Sequence, residues 1–377
     1  MIPGSDSWRV GRGTHRAADE RSSDALVALG AFGFVLLGVF FALCHLFDFH
    51  VFWTAGRDVL HGRSPYPSIE SIASDEKNYY VYPPLVALLS APLGLLPFPV
   101  AGALAAALLV AAMYLSLRIL GVHDRGCYAV CLVWAATLQA ITLGTVGPVL
   151  ALLLAIAWRY RKRDAVCALA VAAAVCLKVF LWPMLLWLVA TRRYRAGAMS
   201  FAFALGGALA SWAAIGFAGL TSYPRLLSRL TSVEEGRSFS ITALGHALGL
   251  PSLVGHVALV AAGLGFIMAI GVLARRPDGD RRAFTVAVAA SLALTPILWL
   301  HYLCILAVPI AIRSPRLDRI WIIPALLALP IPTSGGNALV ILWGLGVGTA
   351  TFVALLRPAA PAAAARPAAG PVAGVRI

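Results

Sequence analysis

The stretch RYRKRDAVCALAVAAAVCLKVFLWPMLLWLVATRRYR, residues 159–195, decides the fold. Two basic clusters, RYRKR (159–163) and RRYR (192–195), bracket 28 residues in which only Asp164, Lys178 and Thr191 are polar. Basic clusters between apolar runs mark loops kept in the cytoplasm. With both clusters on one side, the chain must go out and return within those residues. Two short helices are expected, reversing near Lys178 and Pro183.

The same pattern fills the chain. Of its 377 residues 60% are hydrophobic and 12% charged, with mean hydropathy +0.86. A soluble domain carries about twice that charge. Apolar runs of membrane length recur from 26 to 356, so the expected class is an all-α polytopic membrane protein. A soluble helical core is excluded because too little polar surface remains to cover it. The formal charge of +14 does not point to nucleic acid: the basic residues sit in inter-helix clusters, with no basic stripe on a soluble face. The six cysteines lie in or beside apolar runs without metal-ligand spacing, and read as free thiols.

Residues 1–25 are polar and read as a disordered cytoplasmic tail. Run 26–47 is too long for a signal-peptide core and reads as a retained first span. Residues 26–356 form the membrane domain, and the Ala/Pro-rich segment 357–377 reads as a second disordered cytoplasmic tail. The further basic clusters, RRPDGDRR (275–282) and RSPRLDR (313–319), join the first two in the cytoplasm. Counting runs between them gives about 12 spans, if 81–98, interrupted by Pro83, Pro84, Pro92 and Pro97, does not cross fully. This topology sends four polar features to the outer face: the loop 48–80, Lys178, the segment 221–240 and His301. Four on one side suggest a site.

Asp48 opens the outer loop. A carboxylate near a span end costs less than at its centre, so simple exposure to water is an equal alternative to a functional role. Thr54, Arg57, Asp58 and His61 then recur at helical spacing opposite Phe52, Ala55 and Val59, the pattern of an interfacial helix. Lys178 is either a snorkelling cation or a phosphate ligand. His301, between Trp299 and Tyr302, is either an aromatic-belt residue or a substrate ligand. The sequence holds no Walker loop, GxGxxG after a strand, HExxH or GxSxG, which argues against a nucleotide-driven pump and a cytosolic catalytic domain.

Four motifs in order carry a resemblance. They are the D…F..A…L.G..PY pattern from Asp48, YVYPPLVALLSAPLGLLP from Tyr80, LKVFLWPMLLWLVATRRYR from Leu177 and SLALTPILWLHYLCILAVP from Ser291. Together they resemble glycosyltransferase family 87 over roughly 26–356. The resemblance implies a C-type glycosyltransferase (GT-C) bundle in the plasma membrane, with its active site on the extracytoplasmic face beneath an outer loop. It implies a polyprenyl-phosphate sugar as donor, mannose first and arabinofuranose as the alternative, and a glycolipid or polysaccharide acceptor. It implies Asp48 as general base. Lys178 is then the first candidate to bind the lipid phosphate, with Arg57, Arg225 and Arg229 behind it. His301 and Tyr82 would contact substrate, and Asp58 would be a secondary contact. No cofactor or metal is expected, since the lipid-linked donor is itself a substrate; membrane lipids are the other partner.

Two departures from the family pattern stand out. The central Gly-Gln-x-Asn motif reads LGTVGPVL here, with Thr145 and Gly147 in place of the amides. The late Asn-x-Ser stretch reads GRSFSIT, with Arg237 in the Asn place. An inactive family member is therefore one alternative. A lipid or sugar-lipid transporter is another, which would gather its polar groups at the bilayer midplane.

Overall fold

The computed structural model describes residues 46–67, 79–329 and 337–357, and they are helical throughout, with no strand among them. The expected tails 1–25 and 357–377 (Arg357 apart), most of the first span and 68–78 of the outer loop lie outside the described residues.

Prolines and glycines set the helix boundaries. Helix α1 (Phe47–Leu60) ends at the left-handed Gly62. Pro84 opens α2 (Pro84–Gly94), and Pro97 precedes α3 (Phe98–Ile119). Proline fits there because the first helical N–H groups have no partner to lose. Helix α4 (Arg125–Val133) is capped by Asp124, whose carboxylate accepts from the Gly126 N–H at 2.9 Å. Helix α5 (Ala135–Leu143) meets α4 at a 65° bend. The break falls at Trp134, a fully buried residue whose indole donates to the Trp321 carbonyl at 3.1 Å.

Gly144, at φ 75°, reverses the chain into α6 (Gly147–Arg159). The hairpin bracketed by the two basic clusters, 159–195, follows. Helix α7 (Asp164–Leu177) stops at Lys178, whose backbone is extended, and a short 3-10 turn, Val179–Leu181, leads into α8 (Pro183–Ala190). Its two ends come back together, with Arg195 Nε 3.9 Å from Asp164 Oδ2.

Helix α9 (Tyr194–Ala214) leads to the amphipathic α10 (Tyr223–Glu234), which buries only Leu226. Then come α11 (Ile241–Ala247), α12 (Ser252–Leu273) and α13 (Gly279–Ala293). A 3-10 stretch, Leu300–Leu306, runs into α14 (Ala307–Arg313). The short α15 (Arg319–Ile322) and the long α16 (Ala338–Leu356) complete the described chain.

Helices α3, α9, α12 and α16 are long and apolar enough to cross a membrane, and the bent pair α4–α5 makes a fifth candidate. Helix α2, with 11 residues, spans about 16 Å against a hydrocarbon core of about 30 Å, and is one of several apolar helices shorter than a full span. The expected twelve spans rest equally on shorter helices such as α6, α7 and α8.

At the arginine-rich end of the bundle, Asp280 ties three segments together. Its carboxylate accepts from Arg161 Nε (2.9 Å), from both terminal nitrogens of Arg193 (2.7 and 2.8 Å) and from the Trp187 indole (2.9 Å). Burial opposes its ionisation, but the two guanidiniums and the indole outweigh burial and hold the carboxyl below its ordinary range.

Candidate active site

The site forms at the opposite end of α7, about 21 Å from its first residue at 1.5 Å per residue. Three breaks in helical structure and one helix start converge there. The helix start is α1. Its inner face buries Phe49, Phe52, Ala55 and Gly56, while Thr54, Arg57 and His61 are exposed. Asp48, expected to open the outer loop, sits in the first turn of α1, where the helix dipole favours a carboxylate. The helix is seated closely on α2: a Cβ on Gly56 would come within 2.7 Å of the Ser90 backbone.

The first break is the strap Tyr79–Pro83. Two adjacent prolines, Pro83 and Pro84, deny it the N–H groups of a helix or strand. It projects Tyr82 toward Lys178, the second break. Lys178 Nζ donates to Tyr82 Oη at 2.7 Å. The same ammonium lies 3.9 Å from the centre of the Tyr82 ring and 4.4 Å from that of Tyr302, so two π faces hold one cation. Phe52 packs edge-on against Tyr82, and Phe180 stacks on Tyr302. Asp48 lies within electrostatic range of Lys178, Tyr82 and Tyr302.

The third break is the 3-10 stretch carrying His301. The imidazole is 4% exposed, packs edge-on against Tyr302, and its Nε2 has no hydrogen-bond partner. Buried polar atoms are nearly always paired in folded proteins, so an unpaired one in a cluster of charged groups is available to a ligand.

Asp48, Tyr82, Lys178 and His301 are thus neighbours, although they are far apart in the sequence. The other candidates lie elsewhere. Arg57 is exposed and stacks over Trp53 at 4.7 Å. Asp58 pairs with Arg63 at 2.8 Å. Arg225 and Arg229 are exposed on α10. The segment 221–240 still reaches the site, because Tyr223 Oη donates to the Val81 carbonyl at 3.0 Å. Sequence reasoning did not single out Tyr302, Phe180, Tyr66 or Tyr223 as site-shaping. Their signal is weak, since tyrosines are common in any interfacial belt.

Both altered motifs border the cluster. Gly147 lies against the third break: a Cβ there would be 2.7 Å from Cys304 Sγ and 3.3 Å from the His301 carbonyl. The buried Thr145 hydroxyl accepts from the Gly147 N–H at 3.4 Å. In the later motif, Phe239 N–H donates to the Leu298 carbonyl at 2.8 Å, beside the approach to His301, and Arg237 is exposed.

The family model for glycosyltransferase family 87 matches residues 80–301, more than half of the chain. The chain belongs to glycosyltransferase family 87. The match begins at Tyr80 of the strap and ends at His301, so it takes in Tyr82 and Lys178 and stops short of Asp48. No curated protein and no solved structure matches the chain significantly. As a family 87 glycosyltransferase, the protein acts on a sugar donor and an acceptor. Its apolar helices make it a helical membrane protein.

Proposed function

We propose that this family 87 protein moves a sugar, mannose in the first instance, from a polyprenyl phosphate to a hydroxyl of an envelope glycolipid or polysaccharide. We place it in the plasma membrane as a GT-C bundle of about twelve spans, working at the extracytoplasmic face. The observation that carries this reading is the meeting of one carboxylate, one aromatic-caged ammonium and one unpaired buried imidazole nitrogen.

The chemistry follows from these groups. A polyprenyl-phosphate sugar is a phosphodiester with one negative charge, and its leaving phosphate gains a second as the bond to the anomeric carbon breaks. Lys178 offsets that developing charge. Asp48 takes the proton of the acceptor hydroxyl as its oxygen bonds to the anomeric carbon from the opposite face, so the configuration inverts. General-base assistance of this kind contributes about 10²–10⁴ in rate. His301 Nε2 orients a sugar hydroxyl or the phosphate. The aromatic rings around Lys178 exclude water and so strengthen its hold on an anion.

The test uses the purified protein, a radiolabelled polyprenyl-phosphate mannose and membrane-extract acceptor. Asp48→Asn should abolish transfer while the protein remains folded and inserted. Wild-type turnover in that variant would overturn the assignment of the base.

A further inference from the structure

Three consecutive backbone carbonyls of the strap are each held by a tyrosine hydroxyl. Val81 O accepts from Tyr223 at 3.0 Å, Tyr82 O from Tyr66 at 3.0 Å and Pro83 O from Tyr80 at 2.6 Å. Tyr80 Oη also accepts from the Ala87 N–H at 2.9 Å, which fixes it to the start of α2. Three hydroxyls on three successive carbonyls are more than chain reversal requires. The residues come from separate places: Tyr66 from the loop after α1, Tyr80 from the strap and Tyr223 from α10.

The rings that carry these hydroxyls pack on one another. Tyr66 stacks on Trp212 (5.2 Å, 16°) and meets Tyr223 edge-on at 5.5 Å, and Tyr223 meets Trp212 edge-on at 5.4 Å. Gly219, at φ 83°, lets the turn before α10 press onto the Tyr66 ring. Packed against each other, with their hydroxyls spent on main chain, these rings are not an open platform for stacking a sugar. Burial raises the phenol pKa of Tyr66, Tyr80 and Tyr223, so all three remain proton donors at any working pH.

What the clamp holds still is the backbone on both sides of Tyr82, and the Tyr82 side chain in turn holds the Lys178 ammonium. We propose that Tyr66 and Tyr223 are positioning residues: by gripping the Tyr82 and Val81 carbonyls they fix the Tyr82 hydroxyl and ring, and so aim Lys178 at its anionic ligand. This rests on the reading of Lys178 as the phosphate ligand given above. It also makes the amphipathic helix α10 part of the site's support, since Tyr223 is its first residue.

The test has two arms, and the first needs no activity. The chain contains three lysines, Lys77, Lys162 and Lys178. Limited acetylation of the purified full chain by an activated ester, read by peptide mass spectrometry, reports Lys178 against the exposed Lys162. Removing two hydrogen bonds in Tyr66→Phe/Tyr223→Phe should speed Lys178 acetylation about tenfold relative to Lys162. Tyr82→Phe, which removes the direct bond, serves as the positive control. Lys178 reactivity unchanged in the double variant but raised in Tyr82→Phe would overturn the proposal. If the double variant does not fold, Tyr223→Phe alone keeps the ring packing and carries the same comparison.

The second arm is kinetic. The donor KM should rise about tenfold with the acceptor KM unchanged, and the effect should vanish in a Lys178→Met background, where there is no ammonium left to aim. Full additivity with Lys178→Met would overturn the proposal. If wild-type protein transfers sugar from no polyprenyl-phosphate donor, the proposed function fails, while the acetylation arm still decides the clamp.

Discussion

Lys178 and Tyr82, ninety-six residues apart, share a 2.7 Å hydrogen bond in which the ammonium donates to the phenol and also lies over its ring. The ammonium's hydrogen-bonded partner is neutral, and the Asp48 carboxylate lies within electrostatic range of it. Lys178→Met should lower transfer by about 10²–10³, the usual cost of removing one preorganised electrostatic group. Lys178→Arg should restore little of it, because a planar guanidinium does not fit a cage made for a compact cation. Initial rates with saturating acceptor check both.

His301 gives a sharper contrast. Its Nε2 has no protein partner to lose, so His301→Leu should leave the unfolding temperature in detergent within about 2 °C of wild type or raise it. Transfer should nevertheless fall at least about tenfold, as expected when a ligand contact is removed. A large drop in stability without a kinetic effect would mark the histidine as structural.

Restoring the family's amide at Gly147 should harm the protein. A Cβ there would meet Cys304 Sγ at 2.7 Å, so Gly147→Asn forces the segment 301–304 to move. Overpacking of this kind costs about 1–3 kcal/mol. Both stability and transfer should fall, measured by thermal unfolding and by rate. Recovery of a higher rate would show that the segment can yield.

Asp280→Asn probes the other end. Losing charge-assisted hydrogen bonds to Arg161 and Arg193 should cost about 2–3 kcal/mol. The pH dependence has a definite sign. The folded carboxyl is held below its ordinary value of 3.8, so its contribution is complete above that value and is lost only as pH falls through the lower folded value. For this group, stability should be flat from about pH 5 to 8 and decline only in stronger acid, and the decline should be smaller in the variant. Melting curves across that range decide it.

The sequence made the class and the pivotal hairpin legible because both rest on one-dimensional signals. Arginine clusters bracket 159–195, and a proline follows a lone lysine, so the reversal at Lys178 could be read directly. Asp48, Lys178 and His301 stood out as polar residues in apolar surroundings. The bend at Trp134 was not legible, because it depends on a carbonyl at Trp321 that no local pattern announces. Sequence ranked Lys178 ahead of Arg57 without the physical reason for that order. Both are cations beside aromatics, but Arg57 lies on the exposed face of α1 whereas Lys178 is enclosed by Tyr82 and Tyr302. The resemblance offers Tyr82 as a substrate contact, but which carbonyl each tyrosine hydroxyl meets is set by three-dimensional packing alone.

The Asp280 cluster bears on how the protein can move. Four hydrogen bonds in a single carboxylate's shell join the ends of α6 and α8 and the start of α9 to the start of α13. Opening that end of the bundle between these segments would have to break all four. A group transfer completed at the far end, around Lys178, leaves them intact.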